Sequence, residues 1–293
     1  MLDAIRKAEV LIEALPYIRQ FRDKVVVIKV GGSYMENEQA IRNTLEDIVF
    51  METVGMRPVV VHGGGKAITR AMDAAGLESR FVQGRRYTDD ETLAIVVEVL
   101  TKEINPDIVR QIRGFGGRAV GLHTGDLQVL FGEKLTLKGE QGEPIDLGRV
   151  GQVTRADRDA IWNFCTADVV PVIPSLAFDN SGRWLNINAD TAAAAVARHL
   201  QAEKFVLLTD TPGILRERRN LDSLFANLDA RDCAQLISEG VIDAGMIPKV
   251  EACLDALRGG VPKTHIIDGR VRHSLLLEIY TDRGVGTEIV LNK

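Results

Sequence analysis

Six short apolar runs recur along the chain, at 25–30, 58–62, 119–122, 169–173, 205–208 and 265–267, with helically spaced stretches such as Ile41, Leu45 and Val49 between the early ones. Runs of β-branched residues alternating with helices predict an α/β fold, with a mainly parallel sheet covered on both faces. Stretch 127–151 alternates instead and carries turn signals at Gly132, Gly139 and Gly142, which predicts hairpins beside the sheet, overhanging a site. No low-complexity linker or repeat interrupts the pattern, so two lobes sharing one continuous sheet are expected.

Ahead of the first strand, Ile5, Ala8, Leu11, Ile12, Leu15 and Ile18 form a helical stripe that Pro16 is expected to kink or break. The stripe needs burial, either on its own domain or on a partner subunit. This opening segment carries charges throughout and has no unbroken apolar run, so neither a signal peptide nor a membrane span is expected and the chain is placed in the cytoplasm.

The 293 residues, 45% hydrophobic, can fill a large core. A formal charge of -5 with no local basic patch argues against nucleic acid and anionic membrane as partners and makes small-molecule chemistry the default. Cys165, Cys233 and Cys253 lie far apart without CxxC spacing, which predicts inert thiols and no metal site.

Five segments could carry chemistry. In IKVGGS a strand ends at Lys29 and runs into Gly31 and Gly32, where bare backbone N–H groups and an ammonium could meet a phosphate; an ordinary turn with an exposed lysine reads equally well. In VHGGGK, Gly63, Gly64 and Gly65 stand between a strand and a helix. Three successive glycines bring entropy cost and no packing value, which points to close contact with an anionic or planar group. Neither this loop nor GFGGRAVG at 114–121 has the spacing or context of a Walker A loop or dinucleotide fingerprint.

Asn186, Asn188 and Asp190 alternate ahead of an alanine-rich helix; one of them can cap it, and three together suggest a binding cluster. Lys249 follows Gly245 and Met246 at a helix start, where a cation is electrostatically misplaced unless an anion offsets it; a solvated lysine is the plainer alternative. LLTDTPG places Thr209, Asp210 and Gly213 at a strand end suited to a nucleotide loop, although by itself it is a turn.

Taken in order, IKVGG, VHGGG, FVQGRRYTD, LNINADTAAAAVA, LLTDTPGI, AGMIPKV and HSLLLEIYTDRGVGTEI resemble the amino acid kinase family, in the branch that phosphorylates N-acetyl-L-glutamate and is inhibited by arginine. The resemblance implies an open αβα sandwich. It implies residues 1–23 as an oligomerising kinked helix, 24–176 as a lobe for acetylglutamate and dimerisation, and 177–293 as a lobe for ATP with Mg²⁺ and an arginine site.

Lys29 and Lys249 would stabilise the transferring phosphoryl group and Asp190 would pair with both. Gly64, Gly65, Arg86, Asn186 and Asn188 would bind the acyl amino acid, with Arg86 clamping its α-carboxylate. Gly31, Gly32, Thr209, Asp210, Gly213, Gly245 and Met246 would bind nucleotide, and His273, Glu278, Gly284 and Gly286 arginine. The resemblance further implies a dimer core within a homo-hexamer. The chain departs from the family's usual pattern at Arg85, at Ala244 and at Ser33-Tyr34. Two other readings remain open: an acetylaminoadipate-type kinase, one methylene away, and a non-catalytic sensor, for which two lysines aimed at a phosphate would be idle.

Overall fold

A computed structural model describes residues 1–123, 127–139, 142–218, 220–281 and 284–292. Helix α1 (Leu2–Phe21) leads into β1 (Val25–Val30), α2 (Glu38–Thr53), β2 (Arg57–His62) and α3 (Gly65–Ala74). A small hairpin of β3 (Phe81–Val82) and β4 (Arg85–Arg86) precedes α4 (Asp90–Glu98), a π-helical segment (Val99–Ile104), α5 (Asn105–Gly114) and β5 (Ala119–Gly121). Next come β6 (Leu130–Lys138), β7 (Pro144–Ala156), α6 (Arg158–Thr166), β8 (Val170–Pro174), β9 (Leu176–Phe178) and β10 (Trp184–Ile187). The chain continues through α7 (Ala189–Leu200), β11 (Lys204–Thr209), β12 (Asn227–Asp229), α8 (Ala230–Ser238), α9 (Ile247–Arg258), β13 (Lys263–Asp268), α10 (Ser274–Tyr280) and β14 (Thr287–Val290).

Eight strands make one sheet in the order β12-β14-β13-β11-β1-β2-β8-β5, parallel except for the β13–β14 pair. All six predicted runs are strands of it. Short β12 and β14, at one edge, lack an apolar run long enough to announce them. Every residue of β1 and of β11 is buried, which is why those strands read as unbroken apolar runs. Alternation within β1 sends Val25 and Val27 into one core and Val26, Ile28 and Val30 into the other. Lys29 therefore points to the Val25–Val27 face, where α7 packs on β1.

The predicted hairpin is β6 with β7, which closes with β9 and β10 into a four-stranded barrel beside the sheet. Its backbone is tied to the segment after β4: Thr88 N–H donates to Leu147 O and Arg149 N–H to Thr88 O. At Gly148, φ is 73° and a Cβ would lie 2.2 Å from Thr88 O, so only glycine allows that approach.

Of the two outcomes expected at Pro16, helix α1 excludes the break, because it continues through Pro16 to Phe21. Its near end packs on the domain through Tyr17, edge-on to Tyr280, and through buried Phe21. Ile5, Val10, Leu11, Ile12 and Leu15 remain exposed, so the stripe is not buried by its own chain.

Candidate active site

The centre of the site is a carboxylate between two ammoniums. Asp190 stands in the first turn of α7, a helix whose Ala192–Ala195 and Ala197 are all buried. These small side chains let it sit close under β1, beneath Lys29. Lys249 enters from the first turn of α9, which packs along α7.

Lys29 Nζ lies 2.9 Å from Asp190 Oδ1 and Lys249 Nζ lies 2.9 Å from Oδ2. The second contact is a hydrogen bond; the first is charge contact at an angle that leaves Oδ1 without a well-aligned donor. Burial alone would raise the Asp190 carboxyl, but the two ammoniums outweigh it and hold it at about 2. The anion offsetting Lys249 at its helix start is thus the protein's own Asp190.

Gly31 serves this triad sterically, since a Cβ there would meet Lys29 Nζ at 2.5 Å. The glycine triplet is corrected in part. A Cβ on Gly63 would meet Ala189 Cβ at 2.9 Å, and one on Gly64 would meet Ile104 Cδ1 at 2.7 Å and Leu100 Cδ2 at 2.8 Å, so both have a packing role. Gly65 alone faces open space. No side chain caps α3, whose N-terminal N–H groups begin at this loop, and an unpaired helix start is an anion site. Behind the loop, burial pushes His62 down to about 4 and keeps it neutral. Asn105 Nδ2 donates to His62 Nε2, so the proton sits on Nδ1, facing Gly63 O.

A cavity of about 480 Å³ opens over the triad and brings together Lys29, Gly31, Gly32, Gly64, Gly65, Arg86, Asn186, Asn188 and Asp190. Val150 from the β6–β7 hairpin lines it too, so the hairpin does flank the site. Asn188 caps α7 through Oδ1, accepting from Asp190 N and Thr191 N. Asn186 donates to Thr88 Oγ1, which in turn donates to Arg86 O. Arg86 is buried, with its fork against Ser79, Thr69 and Gly65 O and its plane over Phe81. Burial lowers its pKa from the ordinary value. Ser175 and Lys66 also line this cavity and were not singled out as site residues in the sequence, and Arg85, noted there as a departure from the family's pattern, lines it too. Ser175 follows a strand end on the carboxyl edge, the one positional signal that could have found it.

A second cavity, about 640 Å³, shares Asp210 and Lys249 with the first and is lined by Gly213, Gly245 and Met246. Gly213 has φ 132° and would place a Cβ 2.6 Å from Thr287 Oγ1. Thr209 is corrected: it is buried and its hydroxyl is engaged with Thr211, so it shapes the loop instead of lining the cavity. The two cavities meet at the triad, which suits an acceptor on one side and a phosphoryl donor on the other.

A model of the amino acid kinase family matches residues 24–268. The chain belongs to the amino acid kinase family. As a kinase, it is 47% identical to the acetylglutamate kinase of Heliobacterium modesticaldum, over 99% of this chain and 100% of that protein. A second acetylglutamate kinase, from Moorella thermoacetica, is also 47% identical, over 99% of each. Among solved structures, N-acetylglutamate synthase from Neisseria gonorrhoeae superposes on this kinase with a TM-score of 0.84 at 26% identity, covering 97% of this chain. The kinase spans 63% of that synthase's length. Carbamate kinase from Giardia lamblia shares the fold, at a TM-score of 0.63 and 15% identity over 92% of this chain and 99% of that one.

A third cavity, about 570 Å³, lies under α1 and α10, where Glu278 and Gly284 are joined by Tyr17, Lys204 and His265. The other two residues expected there are elsewhere. His273 pairs with Asp47 at 2.6 Å, and Gly286 packs against the backbone of Ile266. Asp282 and Arg283, in the same segment, lie outside the described residues, as do the side chains of Ser33 and Tyr34. No helix among the described residues is long and apolar enough to cross a membrane.

Proposed function

We propose that this kinase transfers the γ-phosphoryl group of ATP to the side-chain carboxylate of N-acetyl-L-glutamate, giving N-acetyl-L-glutamyl 5-phosphate for arginine biosynthesis. The observation that carries the reading is Asp190 held between Lys29 and Lys249 where two cavities meet. The acceptor carboxylate is already ionised at neutral pH and attacks without a general base. Catalysis then reduces to alignment and to charge at the equatorial oxygens of the moving phosphoryl group.

Lys29 and Lys249 supply that charge, and Asp190 holds their ammoniums in place without touching substrate. The free N-terminus of α3 receives anionic oxygens, and ATP occupies the cavity beside Asp210. Among the described residues no cluster of three His, Cys, Asp or Glu could cage a metal. A Mg²⁺ ion carried on the ATP phosphates with its own waters fits such a site and would neutralise phosphate charge there. The acyl-glutamate assignment is supported by relatives of that name matching this chain almost end to end.

Two finer features belong to the same reading. The exposed apolar stripe of α1 suits interlacing with a second copy, which would join dimers into a hexamer. Arginine would act as inhibitor from the cavity under α1, with its guanidinium on Glu278. Burial would raise the Glu278 carboxyl, but His265, the Val285 N–H and Lys204 hold it below its ordinary value, so it is an anion.

The test is acyl-phosphate formation trapped with hydroxylamine, offering acetylglutamate, acetylaminoadipate, glutamate and aspartate in parallel, with and without arginine. Turnover confined to acetylglutamate and suppressed by arginine is expected. Preference for acetylaminoadipate would move the pathway, and no turnover with any acid would sink the kinase chemistry.

A further inference from the structure

Helix α4 does not run regularly into α5. In the π-helical segment between them, Asn105 N–H donates to Leu100 O, five residues back instead of four. Residues five apart stand on different sides of an α-helix, whereas this wider turn brings Asn105 round towards the side of Leu100 and Ile104. Those two crowd the place where a Cβ of Gly64 would stand. Asn105 reaches the same loop from behind, with its Nδ2 3.0 Å from His62 Nε2. Gly121 leaves room for it, since a Cβ there would collide with Asn105 Oδ1.

The second partner of Asn105 decides the chemistry of the pair. Its Nδ2 also lies 3.0 Å from Val172 O. A carbonyl oxygen only accepts, so the atom facing it is the amide nitrogen, and the ring nitrogen that this same atom meets must accept as well. His62 is fully buried and neutral, so it carries one proton, on Nδ1. That nitrogen lies 3.2 Å from Gly63 O, which no other donor among the described residues meets.

The peptide between Gly63 and Gly64 is trans, so its C=O and its N–H point in opposite directions. With the carbonyl turned to the buried ring, Gly64 N–H points away from it, and no acceptor among the described residues meets that N–H. Gly64 lines the substrate cavity, whereas neither His62 nor Asn105 does. Rotation of this peptide would turn a carbonyl oxygen towards the anions that the cavity receives.

We propose that His62 is a positioning residue for phosphoryl transfer: its Nδ1–H holds the Gly63 carbonyl, which keeps Gly64 N–H aimed at the anionic oxygens in the substrate cavity, and Asn105 fixes the tautomer this requires. The role rests on the acyl-phosphate reading above and goes beyond it, to residues that touch no substrate. A purely structural pair would tie α5 to β2 and β8 and govern stability alone.

The experiment measures kcat, KM for acetylglutamate and ATP, and Tm for the wild type, His62→Leu, His62→Asn and Asn105→Ala, with turnover read well below every Tm. Nitrogen-15 spectra of histidine-labelled protein locate the ring proton. The wild type should carry it on Nδ1 of His62 from pH 6 to 8. His62→Leu should lower kcat by about ten- to a hundred-fold, the scale of misplacing a group at the reacting centre, with KM for ATP little changed. His62→Asn places an amide N–H about where the ring Nδ1–H stands and should recover most of kcat, although its Tm falls as well. Asn105→Ala should move part of the proton to Nε2 and lower kcat less than His62→Leu does. A wild-type proton on Nε2, which is readable even where a variant fails to fold, or equal kcat in His62→Leu and His62→Asn, overturns the assignment alone. A wild-type protein that forms no acyl phosphate from acetylglutamate removes the functional reading, and the positioning role with it.

Discussion

Lys29 and Lys249 grip the two oxygens of one carboxylate, each at 2.9 Å, although one ends a strand and the other begins a helix. Removing either should therefore cost turnover more than binding. Lys29→Ala and Lys249→Ala are each expected to lower kcat by about a hundred- to a thousand-fold, the scale for losing one preorganised donor in a transition state. ATP binding by calorimetry should persist in both; loss of binding and turnover in equal measure would mean that the lysines serve the ground state.

The depressed Asp190 carboxyl makes a signed prediction about acid. Its folded value is about 2 against an ordinary 3.8, so the stability it contributes is present above about 3.8 and disappears as pH falls towards 2. Thermal unfolding of the wild type and of Asp190→Asn should differ clearly at pH 5 and converge as pH falls below about 3. A gap that widens on acidification would contradict the two-lysine environment.

Neighbouring glycines should respond oppositely to alanine. Gly64→Ala drives a methyl into Ile104 and Leu100 and should destabilise by about 1 to 3 kcal/mol, as overpacking does. Gly65→Ala meets open space, so Tm should hold or rise while the methyl obstructs the substrate cavity and acyl-phosphate formation falls. Denaturation and turnover measured on both variants check the contrast.

The exposed stripe of α1 should govern assembly without touching chemistry. Leu11→Glu combined with Ile12→Lys is expected to lower the gel-filtration mass from that of the proposed hexamer to that of a dimer and keep acyl-phosphate formation. An unchanged mass would mean that the stripe has another use.

Much of the fold was legible because a buried parallel strand must be apolar on both faces, so VVVIKV and its counterparts stood out. Strands β12 and β14, towards one edge, did not, since three or four residues carry no period. Pro16 left a kink and a break equally open in the sequence, and the structure removes only the break, since the helix carries on through it to Phe21. In the site, Lys29, Asp190 and Lys249 were each suspected from local chemistry: a lysine before glycines, an acid at a helix mouth, a cation at the wrong helix end. Their meeting rests on Lys29 sharing a sheet face with Val25 and Val27 and on α7 and α9 packing together beneath it.

Other roles needed three dimensions outright. Gly63 and Gly64 were credited to ligand contact because the side chains they make room for, Ala189, Leu100 and Ile104, are distant in sequence. His273 and Glu278 sit five positions apart, yet one faces Asp47 on α2 and the other His265 on β13. Arg85 and Arg86 are neighbours of one residue type, and only the fold shows that Arg86 is the one held by Ser79, Thr69 and Gly65 O. What the sequence by itself determined was therefore the periodic and the chemical: the sheet, the helices and the residue types able to handle phosphate. Which donors are already satisfied was decided by the tertiary structure alone, because hydrogen-bond partners are set by proximity in space.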